Sequence, residues 1–184
     1  MGRLRLLLCL ALFAALAIIP AAAFAAPPTH EHFRDVGTDV DPDFCGTGQA
    51  INISFDVLNN VWISSEGPEE LVKVTSSGTV VFTNPANGNS VTLSFAGQFT
   101  DETISGDPAG LHVHLFTNKG LPEKLQTTHG PVLLRDAGII AFAATFDGDE
   151  FISQEIVVLK GPHPEAESDF ELFCEVMTEA LGIT

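Results

Sequence analysis

The chain contains no tyrosine, and its one tryptophan is Trp62. The absence of tyrosine removes a side chain that stacks on sugars and a common acid–base group, and leaves Trp62 as the one large amphipathic ring. Basic residues are scarce too: eight Lys and Arg stand against 24 Asp and Glu. A surface so acidic repels phosphate backbones, which argues against nucleic acid and anionic membranes as partners. Solubility outside the cell is the plain reading of the charge. The three cysteines include no C-x-x-C pair, and neither G-x-S-x-G nor H-E-x-x-H occurs. No catalytic residue and no cofactor are therefore expected, and the chain is not expected to be an enzyme.

Long apolar runs are confined to the start. Arg3 and Arg5 precede an uncharged apolar stretch ending at Ile19, then Pro20 and a run of small residues. This order is that of a secretory signal peptide over residues 1–25, with Ala23-Phe24-Ala25 as the cleavage site. The apolar core is short for a membrane anchor, which needs about 20 residues. Cys9 lies inside that core and not beside the cut, a poor position for a lipid. Past residue 25 the chain has 24 acidic and six basic side chains, a net charge of −18. The expectation is a secreted, extracellular monomer with no membrane span after cleavage.

Removing the signal leaves Cys45 and Cys174. An even count in an oxidising compartment favours a disulfide. A loop of that length would stabilise by about 5 kcal/mol in the chain-entropy model. The alternative, a catalytic or metal-bound thiol, lacks a nearby histidine.

Residues 26–46 read as a polar N-terminal leader. From there the period is two: Ile51, Ile53, Phe55 and Val57 alternate with Asn52, Ser54 and Asp56. Further short strands follow, with turn signals at Gly67-Pro68, Asn84 to Gly88, Asn118-Lys119-Gly120, Asp136-Ala137-Gly138 and Asp147-Gly148. The fold class is mainly β: an antiparallel meander of about eight strands over residues 47–161, forming a small barrel or, alternatively, a sandwich. Residues 162–184 read as a Pro-rich linker and one helix. Ser168 and Glu171 have capping-box spacing, and Phe170, Phe173, Cys174, Met177 and Leu181 form one apolar stripe. The strand Ile139 to Phe146 is apolar on both faces and needs a cover, for which this helix is the candidate.

The Phe44-Cys45-Gly46 start, the Thr83 to Ser90 hairpin in a Val/Thr-rich meander and the terminal Phe173-Cys174 helix are modest motifs. On them the chain resembles uncharacterised small secreted β-rich proteins of high-GC Gram-positive bacteria. The resemblance implies a fold tendency and a compartment, and no site.

Few residues stand out for chemistry. His112 and His114 share a strand face and are weak candidates for one metal ion, which needs at least a third ligand. If Asn118-Lys119-Gly120 is a hairpin loop, His114 pairs with Lys124 and His112 with Gln126, both on the outer face, while His129 falls opposite. No metal site is expected there. Asp39, Asp41 and Asp43 have the spacing that begins a calcium loop, but Phe44 and Ala50 stand where Gly and Glu are required. The leading expectation is a non-catalytic protein holding a small apolar or amphipathic ligand inside a barrel, with Phe142, Ala141, Ala143 and Trp62 as the binding candidates. The alternatives are a cell-surface or extracellular interaction module, and a barrel-type isomerase or cyclase using His112 or His114. Mass spectrometry of the exported protein should place its N-terminus within two residues of Ala26; an intact Met1 in membrane fractions would refute the signal peptide.

Overall fold

A computed structural model describes residues 28–66, 69–128, 130–168 and 171–183. The signal segment, Cys9, the Gly67-Pro68 turn, His129 and Phe170 lie outside the described residues. Seven antiparallel strands form one sheet in sequence order: β1 (Thr29–Asp41), β2 (Ile51–Glu66), β3 (Glu69–Thr83), β4 (Ser90–Gly106), β5 (Leu111–Thr127), β6 (Val132–Asp147) and β7 (Glu150–Lys160). A 3-10 turn (Phe44–Gly46) follows β1, and two helices close the chain, α1 (Pro164–Glu167) and α2 (Leu172–Leu181). The mainly β, antiparallel meander is as expected. Among the described residues the sheet is single and not closed, because β1 pairs only with β2 and β7 only with β6.

The strand count differs from the expected eight for two reasons. First, residues 29–41 are not a leader. They form edge strand β1, held by backbone pairing to β2 although their own side chains lack apolar periodicity. Second, Asn118-Lys119-Gly120 and Asp136-Ala137-Gly138 lie within strands β5 and β6. Cross-strand pairing aligns Gly97, Gly120 and Gly138 in one row, and Gly161 continues it beside Gly138. A Cβ on Gly120 would sit 2.7 Å from the Ala96 carbonyl oxygen, and one on Gly138 2.0 Å from that of Lys160. Both residues have positive φ, 113° and 128°. Glycine is required there because backbones touch and bend, not because the chain reverses. Next to the row, β5 carries a bulge between Gly120 and Glu123, which switches the face parity of the residues that follow.

One face of the sheet is apolar: Ile51, Ile53, Phe55, Val80, Phe82, Val91, Leu93, Leu125 and Leu134 lie at one end of it. Against that end pack Phe44 from the 3-10 turn and Met177, Leu181 and Ile183 from the C-terminus. The disulfide Cys45–Cys174 fixes the cover, with Cα atoms 5.6 Å apart across 129 residues. It also sets where the helix lies. The partners of α2 on β6 are Leu133 and Leu134, not the expected Ile139 to Phe146, because Cys45 sits where β1 turns into β2.

The helix ends are held by remote residues. Asn84 and Asn87, in the β3–β4 turn, both donate Nδ2–H to the Leu181 carbonyl, at 3.0 and 2.9 Å. Gly182 adopts φ 65°, and the Ile183 N–H bonds the Thr178 carbonyl, a Schellman ending. The expected Ser168–Glu171 box is absent. Ser168 closes α1 by bonding the Glu165 carbonyl, and α2 starts only at Leu172. The glycine row gives a direct test. Gly138→Ala should lower the thermal midpoint by well over 10 °C or prevent folding, whereas Gly88→Ala, with positive φ but open space, should cost only about 1 kcal/mol. Equal midpoints for the two variants would remove the close-approach account.

Candidate functional site

Beyond the glycine row the apolar face continues without α2 above it. Register places Val61, Val74, Phe99 and Ile140 in one cross-strand row and Ile63, Val72, Asp101, Phe116 and Phe142 in the next. Next come Thr103, His114 and Ala144, then His112 and Phe146. The two histidines are thus on the apolar face and not outside beside Lys124. The sequence reading fails because the supposed hairpin loop is continuous strand, so β5 pairs with β4 and β6 instead of with itself. His112 is only 6% exposed.

The rings pack on one another. Phe99 stacks on Phe116 at 6.0 Å between centroids, His114 on Phe116 at 5.7 Å, and His112 on Phe146 at 5.7 Å. His112 and His114 meet edge to face at 5.0 Å. Phe151 of β7 closes the group against Phe146. Within this aromatic patch His114 carries a polar chain. Its Nδ1 is 2.6 Å from Asp101 Oδ1, and its Nε2 is 3.4 Å from Thr103 Oγ1. With Nδ1 protonated and donating to the carboxylate, Nε2 is an acceptor directed at the hydroxyl. His112 Nδ1 donates to the Gly110 carbonyl at 2.8 Å. Among the described residues no three His, Cys, Asp or Glu side chains are placed to share a metal ion.

The four binding candidates do not converge. Phe142 lies on the apolar face beside Phe116, while Ala141 and Ala143, one residue away on the strand, lie on the other face. Trp62 is on that other face as well, stacked on His30 at 4.6 Å with Lys73 Nζ 5.6 Å from its ring. Among the described residues an open groove of about 510 Å³ lies elsewhere, along Thr38 to Val40, Asn52 to Ser54 and Thr83. Asp39 and Asp41 are strand residues, and Asp43 shapes the following loop by accepting the Gly48 N–H.

A second cluster lies where β5 and β6 meet the linker. Glu123 and Asp136 are cross-strand partners on the apolar face. His163, 1% exposed, places Nδ1 2.5 Å from Asp136 Oδ1 and Nε2 3.1 Å from the Lys160 carbonyl. The Phe173 backbone N–H in the first turn of α2 favours the charged form of Glu165 in α1. One oxygen of Glu123 and one of Glu165 are buried without a partner. Burial pushes Glu123 up to about 8, helped by the neighbouring Glu165 and Asp136 charges. Burial likewise raises Glu165 to about 7, with Asp136 adding to the shift. Asp136 is raised by burial against the opposing pull of His163. Glu123 and Glu165 hold protons near neutral pH, which removes much of the charge that burial would otherwise penalise. Sequence reasoning missed the cluster because Glu123, Asp136 and the His163–Glu165 pair are 13 to 42 residues apart and join only through the β5 bulge and the linker turn.

No family model, curated protein or solved structure matches the chain.

The raised carboxyls give stability a pH dependence with a definite sign. The folded state holds protons that the unfolded chain releases near pH 4.5. Their stabilisation is complete below that value and is lost as pH rises through about 7 to 8. Thermal unfolding should therefore occur at a higher midpoint at pH 5 than at pH 9, and Glu123→Gln, which is neutral throughout, should flatten the difference. A midpoint that climbs between those pH values, or a Glu123→Gln profile identical to wild type, would contradict this.

Proposed function

We propose that the protein is a secreted, non-catalytic binding protein that takes a small apolar or amphipathic ligand on the open part of its apolar sheet face. The observation that carries the proposal is the aromatic patch of Phe99, Phe116, Phe142 and Phe146, half-buried rings beyond the reach of α2. This moves the ligand site from a barrel interior to a sheet face. Apolar contact with the rings supplies affinity. His114, oriented by Asp101 and next to Thr103, supplies one directional contact for a polar end group. The disulfide and the absence of any membrane-crossing helix among the described residues fit an exported protein. The isomerase reading has less support, because both ring nitrogens of His114 already face Asp101 and Thr103, and Thr103 is itself buried.

Titration of the folded protein with Nile red, an uncharged apolar dye, tests the proposal. Saturable binding is expected, weakened about tenfold by Phe116→Ala and unchanged by Val36→Ala at the far edge. Thermal unfolding checks that both variants are folded. Absence of saturable binding, or equal affinity in folded Phe116→Ala, would reject the patch as the site.

A further inference from the structure

The two free edges of the sheet are built differently. On β1 the side chains directed to the apolar side include Glu31, Asp35, Asp39 and Asp41, which pair with Val61, Val57, Ile53 and Ile51. Inward-pointing charge of this kind blocks addition of another strand. On β7 nearly every residue is exposed, and Phe151, Ile152, Ile156, Val157 and Leu159 are large and apolar. We propose that β7 is a self-association edge: two copies pair their β7 strands antiparallel about a two-fold axis at Glu155, joining two seven-stranded sheets into one.

The strand's complementarity to itself selects a second copy as the occupant. At full overlap Glu150 faces Lys160 of the second copy, and Phe151 faces its Leu159. Ile152 faces Val158, and Gln154 faces Ile156. Outside the β7 bulges at Ile152 and Val157, the faces agree as well. Phe151 and Leu159 both belong to the apolar face through their partners Phe146 and Ile140, and Gln154 and Ile156 do so through Ala144 and Phe142. Glu150 and Lys160 both belong to the other face through Asp147 and Ile139. A slip of one residue would set apolar-face side chains against the opposite face. The matched register therefore gives two Glu–Lys pairs, one at each end of the seam, each followed inwards by the apolar pairs Phe151–Leu159 and Ile152–Val158 and by the mixed pairs Ser153–Val157 and Gln154–Ile156. Glu155 alone opposes its own mate, and like charges directly opposite each other weaken a pair. Pairing β7 with β1 of another copy would not close and would give open polymers. The high net charge disfavours any self-contact at low salt, but at physiological salt it is screened beyond about 8 Å.

Sedimentation equilibrium of the exported protein at physiological salt tests the seam. A monomer–dimer equilibrium is expected. Lys160→Glu should raise the dissociation constant at least about tenfold, and adding Glu150→Lys to it should restore the constant to within about threefold. Glu155→Gln should tighten the dimer. All three positions are exposed, and unfolding midpoints confirm that the variants remain folded. A monomer at every concentration, a dimer indifferent to Lys160→Glu, or a series of higher polymers would each overturn the proposal.

Discussion

The disulfide between Cys45 and Cys174 holds the amphipathic helix α2 against the sheet, and the core depends on it. A single open sheet has an apolar face far larger than ten helical residues can cover. The bond decides which end is covered. It sets Met177, Leu181 and Ile183 over Ile51, Phe82, Val91, Leu125 and Leu134, and leaves the rings from Phe99 to Phe146 to pack on one another. Asn84 and Asn87 of the β3–β4 turn then bond the Leu181 carbonyl, so α2 is held near its start by the disulfide and at its end by these two amides.

The two acidic environments of the molecule behave oppositely. On β1, carboxylates are exposed and keep another strand away. Between β5, β6 and α1 they are enclosed: Asp136 bonds His163, and Glu123 and Glu165 retain protons. Arg34 and Asp56 form the ordinary surface case, an exposed pair in which each shifts the other towards its charged form. Lys124 and Arg135 lie near the enclosed cluster in sequence, but alternation turns them to the opposite face. Basic residues are few enough that local geometry leaves Glu123 without one.

Strand alternation was legible wherever an apolar residue recurred at every second position, as in Ile51 to Val57, and the helix stripe with its cysteine was legible for the same reason. The glycine signals were misleading. A residue with positive φ bends a strand at a bulge as readily as it reverses one at a turn, and local sequence does not separate Asn118-Lys119-Gly120 from a hairpin loop. That one ambiguity moved His112 and His114 to the wrong face and hid the aromatic patch. β1 was invisible for a different reason: an edge strand with charged inward positions has no periodicity, and only its partner's backbone defines it. The Glu123 cluster required the bulge, which no local pattern announces.

The order of the strands has a consequence for how the chain reaches this state. Each strand pairs with the one made just before it, so the sheet can grow by successive hairpins as the polypeptide emerges, with modest loop-closure cost at each step. The covalent link obeys the reverse logic. Its first sulfur lies just after β1 and its second lies in α2, behind every strand. Until α2 has emerged, the growing sheet carries a bare apolar face and the Cys45 thiol lacks its Cys174 partner. The period of greatest exposure to aggregation and to wrong disulfides is therefore set by the time taken to reach α2.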